Sequence, residues 1–275
     1  MRWNKALTVA RIDLRRLFKS RDYWVPMGLL AAIFFILIPW VLLSVVTAST
    51  GNDLVSKIGE VIEVLPGQIQ QHLPGSTQEA QAGYALAVYL LAPVAIVVPL
   101  TISSAVGAHA IVGERERGTG EFLAHSPLTE REIYVGKLIA SLVPGFLATA
   151  LGFTVYSLLV NVKVGPLLGG WFFPTAGWWI LILGVVPPFI AVALSVIIWV
   201  SSKVRSTAAA QQAASLVSLP VILAAYGVSS GLMFNPIVAA LAVGIVAWIL
   251  AILGLLSGSR SLHRERLLGL GGDGA

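Results

Sequence analysis

Long apolar runs are the feature that most limits how this chain can fold. About 20 apolar residues in a helix cross the hydrocarbon core of a bilayer. Six runs reach or approach that length, at about 25–48, 83–112, 138–160, 177–200, 213–228 and 237–256. Inside lipid, backbone N–H and C=O groups must be bonded within the protein, which favours helices. The sequence therefore predicts an all-α membrane protein with six transmembrane helices, forming one domain over residues 1–275.

The composition narrows the chemistry that this chain can perform. Its mean hydropathy is +0.86 and only 11% of its residues are charged, against about 25% in soluble domains. The absence of cysteine excludes disulfides and thiolate metal sites. Its four histidines are scattered and lack metal-ligand spacing. We therefore predict no catalytic residue, no metal site and no cofactor bound by this chain.

Two polar segments carry amphipathic patterns. Residues 1–22 predict a helix lying in the headgroup plane, since it combines seven Lys and Arg residues with an apolar face. That face comprises Trp3, Leu7, Ala10, Leu14, Leu17 and Phe18. In the longest outer loop, residues 49–82, a second stripe predicts a short helix on the outer membrane surface, ended by Pro66 and Gly67. That stripe comprises Leu54, Val55, Ile58, Val61, Ile62 and Leu65.

The basic residues are divided unequally between the two sides of the predicted bundle. Sixteen of the 18 Lys and Arg residues lie in segments that six spans place on one side. These segments are 1–22, 113–137, 201–212 and the C-terminal tail. The other side has only Lys57 and Lys163. Because cytoplasmic loops carry the excess of Lys and Arg, we expect both termini to be cytoplasmic.

Residues 113–137 interrupt the apolar chain with nine of its 31 Lys, Arg, Asp and Glu residues. Gly118 allows a break, and Glu121 to His125 form a short amphipathic piece. Thr129, with Glu132 three residues on, predicts a capping box that starts the next helix. An exposed Phe122–Leu123 pair in a charged loop suggests a protein partner. The alternative is a folded loop that covers its own apolar residues.

This segment resembles the signature loop of ABC-2 type permeases, the membrane subunits of ATP-binding-cassette exporters. The family pattern is matched at Glu114, Arg115, Glu116, Gly118, Thr119, Glu121, Leu123, Ser126, Pro127, Leu128, Thr129, Glu132, Ile133, Gly136 and Lys137. The chain departs from it at Gly120, where the family usually has Leu or Ile. The alanine-rich residues 201–212, the six spans and the N-terminal amphipathic helix also fit the family.

The resemblance implies a division of labour between subunits. A coupling helix would form at about residues 118–126 and would dock in a groove of a separate ATPase subunit. That partner, and not this chain, would bind ATP and Mg. The expected contact residues are Glu114, Arg115, Glu116, Arg117, Gly118, Thr119, Glu121, Phe122, Leu123, Ser126, Pro127 and Leu128. The chain itself has no phosphate-binding loop, because Gly136 and Lys137 are followed by Leu138.

The implied assembly has two ATPases and two permeases, as a homodimer or a heterodimer, in a prokaryotic plasma (inner) membrane. No nucleic-acid partner is expected, and an envelope partner is a further option. A stripe of small residues on the last span predicts close helix packing within or between subunits. The stripe comprises Ala240, Gly244, Ala247, Ala251, Gly254 and Gly258.

Two other classes of protein compete with the permease interpretation. A channel or secondary transporter usually needs charged residues inside the membrane, and the predicted spans have almost none. An intramembrane enzyme needs a catalytic constellation at membrane depth, and none is visible. The sequence leaves the cargo open: a drug, antibiotic, peptide or lipid-like substrate fits apolar spans, as does mechanical work on an envelope partner.

Overall fold

Helices long enough to cross a membrane make up most of the chain. The structure is a computed structural model, and it describes residues 2–48, 53–63, 73–234 and 236–261. Every regular element among these residues is helical. Five helices are long and apolar enough to span a bilayer. They are α2 (Arg21–Ala48), α4 (Gln78–Ala108), α7 (Glu130–Lys163), α9 (Ala176–Lys203) and, through its part Thr207–Ala224, α10 (Thr207–Phe234).

The other described helices are shorter or less apolar. They are α1 (Trp3–Lys19), α3 (Asp53–Glu63), α5 (Val112–Glu116), α6 (Gly120–Ala124), α8 (Gly165–Leu168) and α11 (Pro236–Ser261). The sixth predicted span falls on α11, whose apolar part with described side chains is Leu241–Ser257. The helix α7 begins after the cap residue Thr129, in the polar approach to the third predicted span at about 138–160.

The helix α4 is interrupted in its middle. It becomes π-helical at Leu86–Leu90 and then makes a turn ahead of a proline, which has no N–H. This change of register removes the usual donors from the carbonyls of Ala87 and Val88. Side chains from neighbouring helices replace them: Tyr156 Oη donates to Ala87 O at 2.6 Å, and Trp178 Nε1 donates to Val88 O at 2.9 Å. The break in α4 is therefore held from α7 and α9.

The helix α1 packs closely across the start of α7. At Gly136 a Cβ atom would lie 2.7 Å from Val9 Cβ and 2.8 Å from Ala6 O, so only glycine permits this approach without a shift. The buried apolar residues of α1 are Ala6, Val9, Ala10 and Leu17. The predicted apolar face is only partly buried, because Trp3, Leu7 and Phe18 are at least half exposed. The helix therefore has one face for α7 and an adjacent apolar face left outside the bundle.

The small residues of α11 face α9. Ala247 and Ala251 are buried, and a Cβ atom at Gly244 would lie 3.5 Å from Gly184 O. At Gly254 it would lie 2.9 Å from Ser195 Oγ. Ala240 and Gly258 fall outside the residues whose burial is described. Within one chain, the described part of this stripe is thus used for contact between α9 and α11.

The second amphipathic stripe of the sequence lies on α3. Val55, Ile58 and Ile62 are buried, whereas Val61 is 44% exposed. Leu65, the last residue of the predicted stripe, lies outside the described residues, as do Pro66 and Gly67, which are predicted to end the helix.

Candidate functional site

The charged segment between α4 and α7 folds into two short helices. Gly118 takes the left-handed conformation (φ +69°) between α5 and α6, which confirms the predicted break. The predicted capping box is also confirmed: Thr129 Oγ1 accepts from Glu132 N at 3.3 Å, and Thr129 N donates to Glu132 Oε2 at 3.0 Å. The result is helix, short helix, turn, helix, with α6 running between the ends of two long helices.

Five charged side chains meet under this segment, and we call Asp13, Arg16, Glu114, Arg117 and Lys137 the ionic cluster. Lys137 Nζ lies 2.7 Å from Glu114 Oε1 and 2.8 Å from Asp13 Oδ2. The guanidinium groups of Arg117 and Arg16 approach the same Glu114 oxygen at 3.3 Å and 3.7 Å. The cluster therefore joins α1, α5 and α7.

The two central members of the cluster are almost completely buried. Glu114 is 4% exposed and Lys137 is 3% exposed. Burial raises the pKa of Glu114, but the nearby Lys137 ammonium, the hydroxyl of Thr119 and Arg117 outweigh burial and lower the pKa to about 2. The carboxylate thus stays ionised at neutral pH. Removing one member of a buried pair leaves an uncompensated charge, which costs about 3–5 kcal/mol.

Two further residues of the segment reach the second loop at this end of the bundle. Arg115 Nη2 donates to the carbonyls of Ser201, at 3.3 Å, and Val204, in a shorter contact. Glu116 Oε1 accepts from Thr207 N at 2.7 Å, at the first residue of α10. Exposed Glu116 has a lowered pKa because the Thr207 backbone N–H bonds to its carboxylate. The two loops therefore form one connected layer.

The start of α1 is tied to the same layer. Arg2 N donates to Glu132 Oε1 at 2.8 Å, and Lys5 Nζ donates to Pro127 O at 2.7 Å. Two residues of the basic helix α1, Lys5 and Arg16, are therefore directed toward the loop.

The residues predicted to contact the ATPase differ in their solvent exposure. Buried Glu114 has its side chain inside the ionic cluster. The half-buried residues are Arg115, Thr119, Leu123, Ser126 and Leu128. The exposed residues are Glu116, Arg117, Gly118, Glu121, Phe122 and Pro127.

The Phe122–Leu123 pair is split by the fold. Phe122 is 80% exposed, the highest value among the exposed large apolar residues of the described chain. Leu123 is half buried and packs against the hydrophobic core. The pair was expected to be exposed together, but a five-residue helix turns its successive side chains about 100° apart. One side chain of the pair thus holds α6 in place while the other faces outward.

Sequence reasoning missed the role of two cluster residues. Lys137 matches the family pattern, but nothing in that pattern indicates that its side chain is a buried cation. Asp13 received no role, although it is the only acidic residue among the first 20, within a strongly basic helix. That isolated sign change is the signal that could have predicted a partner for a buried cation.

The ionic cluster separates two cavities. One, of about 330 Å³, lies on the α6 side and includes Thr8, Ile12, Phe122 and Leu128 in its lining. The other, of about 310 Å³, lies on the bundle side and includes Tyr23, Val106, His109 and Ser141. Four of the five cluster residues line both cavities: Asp13, Arg16, Glu114 and Lys137. Among the described residues, no group of three or more His, Asp or Glu side chains is placed to hold a metal ion.

A comparison with known protein families agrees with the architecture. The family model described as "ABC-2 family transporter protein" matches residues 7–237, which include the ionic cluster and all five long apolar helices. No curated protein matches the chain. Such membership implies a transport subunit that is not itself catalytic and that associates with an ABC ATPase. The chain is therefore a multi-pass membrane protein that belongs to the ABC-2 family of transporters.

Proposed function

We propose that this chain is the permease subunit through which a separate ATPase drives export, and that α6 is its coupling helix. The observation that carries this proposal is the position of Phe122, exposed on a short helix whose neighbouring Leu123 is anchored in the core. Exposed aromatic side chains next to well-packed residues are typical anchors of protein interfaces. The partner would bind ATP and Mg and would accept Phe122 in an apolar groove.

The ionic cluster supplies a path for movement from α6 into the membrane. The segment is bonded to α1 and α7 through Lys137, and to the start of α10 through Glu116. A force on α6 would therefore move three helices together and would not bend a free loop. Because packed interfaces switch between discrete arrangements, such a movement can reorient the bundle as a unit.

The expected assembly follows from the charge distribution and the family. The strong excess of Lys and Arg at the end of the bundle that carries α1 and α6 supports cytoplasmic termini and a cytoplasmic α6. We propose six spans, with α11 as the last. Two permeases and two ATPases would act in the plasma membrane of a prokaryote. A lipophilic or amphipathic cargo fits the apolar helices, and mechanical work on an envelope partner uses the same coupling.

The test of this proposal is co-purification with the cognate ATPase after Phe122→Asp. We expect the ATPase to be lost from the complex, while the purified chain alone hydrolyses no ATP. Leu123 should not be changed together with Phe122, because its burial would add a folding defect. Trp171→Asp is the matched control: Trp171 is also an exposed aromatic residue, at 68%, but it lies between the third and fourth predicted spans, on the side of the membrane opposite α6.

Two results would count against the proposal. Normal recovery of the ATPase with Phe122→Asp would remove α6 as the docking element. Robust ATP hydrolysis by the isolated chain would remove the division of labour between the two subunits.

A further inference from the structure

The cavity on the bundle side of the ionic cluster combines an apolar wall with basic groups. It is enclosed by α1, the start of α2, the end of α4 and the start of α7. Its apolar lining includes Leu17, Val106, Ala110 and Ala140. Arg16, Arg117 and Lys137 also line it, facing only two carboxylates, Asp13 and Glu114. The cavity therefore has an excess of positive charge next to an apolar surface.

The contacts of Arg16 and Arg117 within the cluster do not engage all of their N–H donors. Both guanidinium groups approach a single oxygen, Glu114 Oε1, which also accepts the shorter bond from Lys137. Their side chains are 57% and 50% exposed, so their remaining N–H groups are accessible. A guanidinium has five N–H donors in a planar fork. The pair therefore has donor capacity left for an anion with several oxygens.

The location of the cavity indicates which anion would reach it. Amphipathic α1 is expected in the headgroup layer, and Ser20 and Tyr23, where α1 meets the first membrane helix, line the cavity. His109, at the end of α4, contacts Tyr23 edge-on with ring centroids 6.0 Å apart. Phosphate groups of phospholipids lie at this depth, and their glycerol and acyl parts can contact an apolar wall.

We propose that this cavity binds the phosphate headgroup of an anionic phospholipid, with Arg16 and Arg117 as its ligands. This site is distinct from the outward basic face of α1, formed by Arg11, Arg15 and Lys19. Guanidinium–phosphate pairs form charge-assisted, frequently bidentate hydrogen bonds, so the two ligands give affinity and orientation. Because the bound lipid would touch the ionic cluster, it would brace the layer from which α6 projects. The binding site itself does not depend on ATPase docking.

The test measures binding of short-chain phosphatidylglycerol to the purified full-length chain in nanodiscs of phosphatidylcholine. We expect Arg16→Gln with Arg117→Gln to weaken binding about tenfold, since hydrogen bonds between charged groups are the stronger ones. Arg11→Gln with Arg15→Gln is the matched control, because it removes the same charge from the exposed face of α1. We expect this control to weaken binding by less than about threefold, because exposed charges act over a screened distance.

Further measurements distinguish a lipid phosphate from free phosphate, and loss of binding from loss of folding. Inorganic phosphate at the same concentration should not displace the lipid; if it bound equally well, a lipid-specific site would be excluded. Equal losses in the two double variants would reduce the effect to general surface charge and overturn the proposal. Arg16→Lys with Arg117→Lys keeps the charge and should retain more affinity than the Gln pair. If the Lys pair bound as tightly as the native Arg pair, with all variants monodisperse, bidentate recognition by the two guanidinium groups would be excluded.

Discussion

Lys137 is the residue whose removal should disturb the loop most. It is buried between Asp13 and Glu114, with Nζ–O distances of 2.8 Å and 2.7 Å. The ammonium group of Lys137 bridges one carboxylate of α1 and one of α5. The arrangement explains why α1 and α5 stay together although 92 residues lie between the two helices in sequence.

We expect Lys137→Met to destabilise the fold by about 3 kcal/mol or more, because two carboxylates lose their buried cation. The melting temperature in detergent measures this effect. Lys57→Met is the matched control: Lys57 pairs with Asp53 at a similar distance of 2.7 Å, but both side chains are exposed. An exposed pair contributes at most about 1 kcal/mol. Similar losses in the two variants would contradict the importance of burial in the cluster.

The pKa of Glu114 predicts a dependence of stability on acid. Its folded pKa of about 2 lies below the ordinary value of 4.5. The stabilisation from this carboxylate is therefore complete above pH 4.5 and is lost as the pH falls toward 2, with an upper size of about 3 kcal/mol. The melting temperature, measured at several pH values from 7 to 3, should not change above pH 5 on account of Glu114. It should fall below pH 5, as the carboxylate becomes protonated. Glu114→Gln should reduce that fall, and an unchanged profile would show that the carboxylate gains nothing from its partners.

At the scale of single elements, the interrupted α4 depends on side chains from its neighbours. The carbonyls of Ala87 and Val88 are satisfied by Tyr156 and Trp178. An unbonded carbonyl inside a bundle has no water to replace its donor. The π-helical segment is therefore a stable part of the fold only while these two donors remain.

We expect Trp178→Phe to destabilise the protein by about 1 kcal/mol or more, because Val88 O loses its donor while the ring remains aromatic. Trp179→Phe is the matched control, since Trp179 is the adjacent residue and is half exposed. Thermal unfolding in detergent compares the two. A larger loss for Trp179→Phe would mean that packing of the aromatic rings, and not the bond to Val88 O, stabilises the break.

Elements with local signals could be predicted from the sequence, whereas contacts between distant segments could not. The Thr129–Glu132 box and the Gly118 break depend on neighbouring residues, so the sequence contains their cause. Leu123 and Phe122 have similar hydropathy, and only tertiary packing distinguishes the buried residue from the exposed one. Long-range pairing of Asp13 with Lys137 depends on how α1 crosses α7.

At the scale of the whole molecule, one connected layer lies at the end of the bundle that carries α1. It comprises α1, α5, α6 and the start of α10, and it is bonded to the long helices through Lys137, Arg115 and Ser201. Ser201 Oγ donates to Ala108 O at 2.7 Å and so ties α9 to the end of α4. Docking at α6 would therefore act on several membrane helices at once.

The most direct test of this account places a single reporter at Phe122. The chain has no cysteine, so Phe122→Cys introduces a unique thiol. We predict that a membrane-impermeant maleimide labels it in inverted membrane vesicles, that it does not label it in intact cells, and that binding of the cognate ATPase protects it. Trp171→Cys should be labelled in intact cells and unaffected by the ATPase. Labelling of Phe122→Cys from outside, or labelling that is unchanged when the ATPase is bound, would contradict the role of α6 as a cytoplasmic coupling helix.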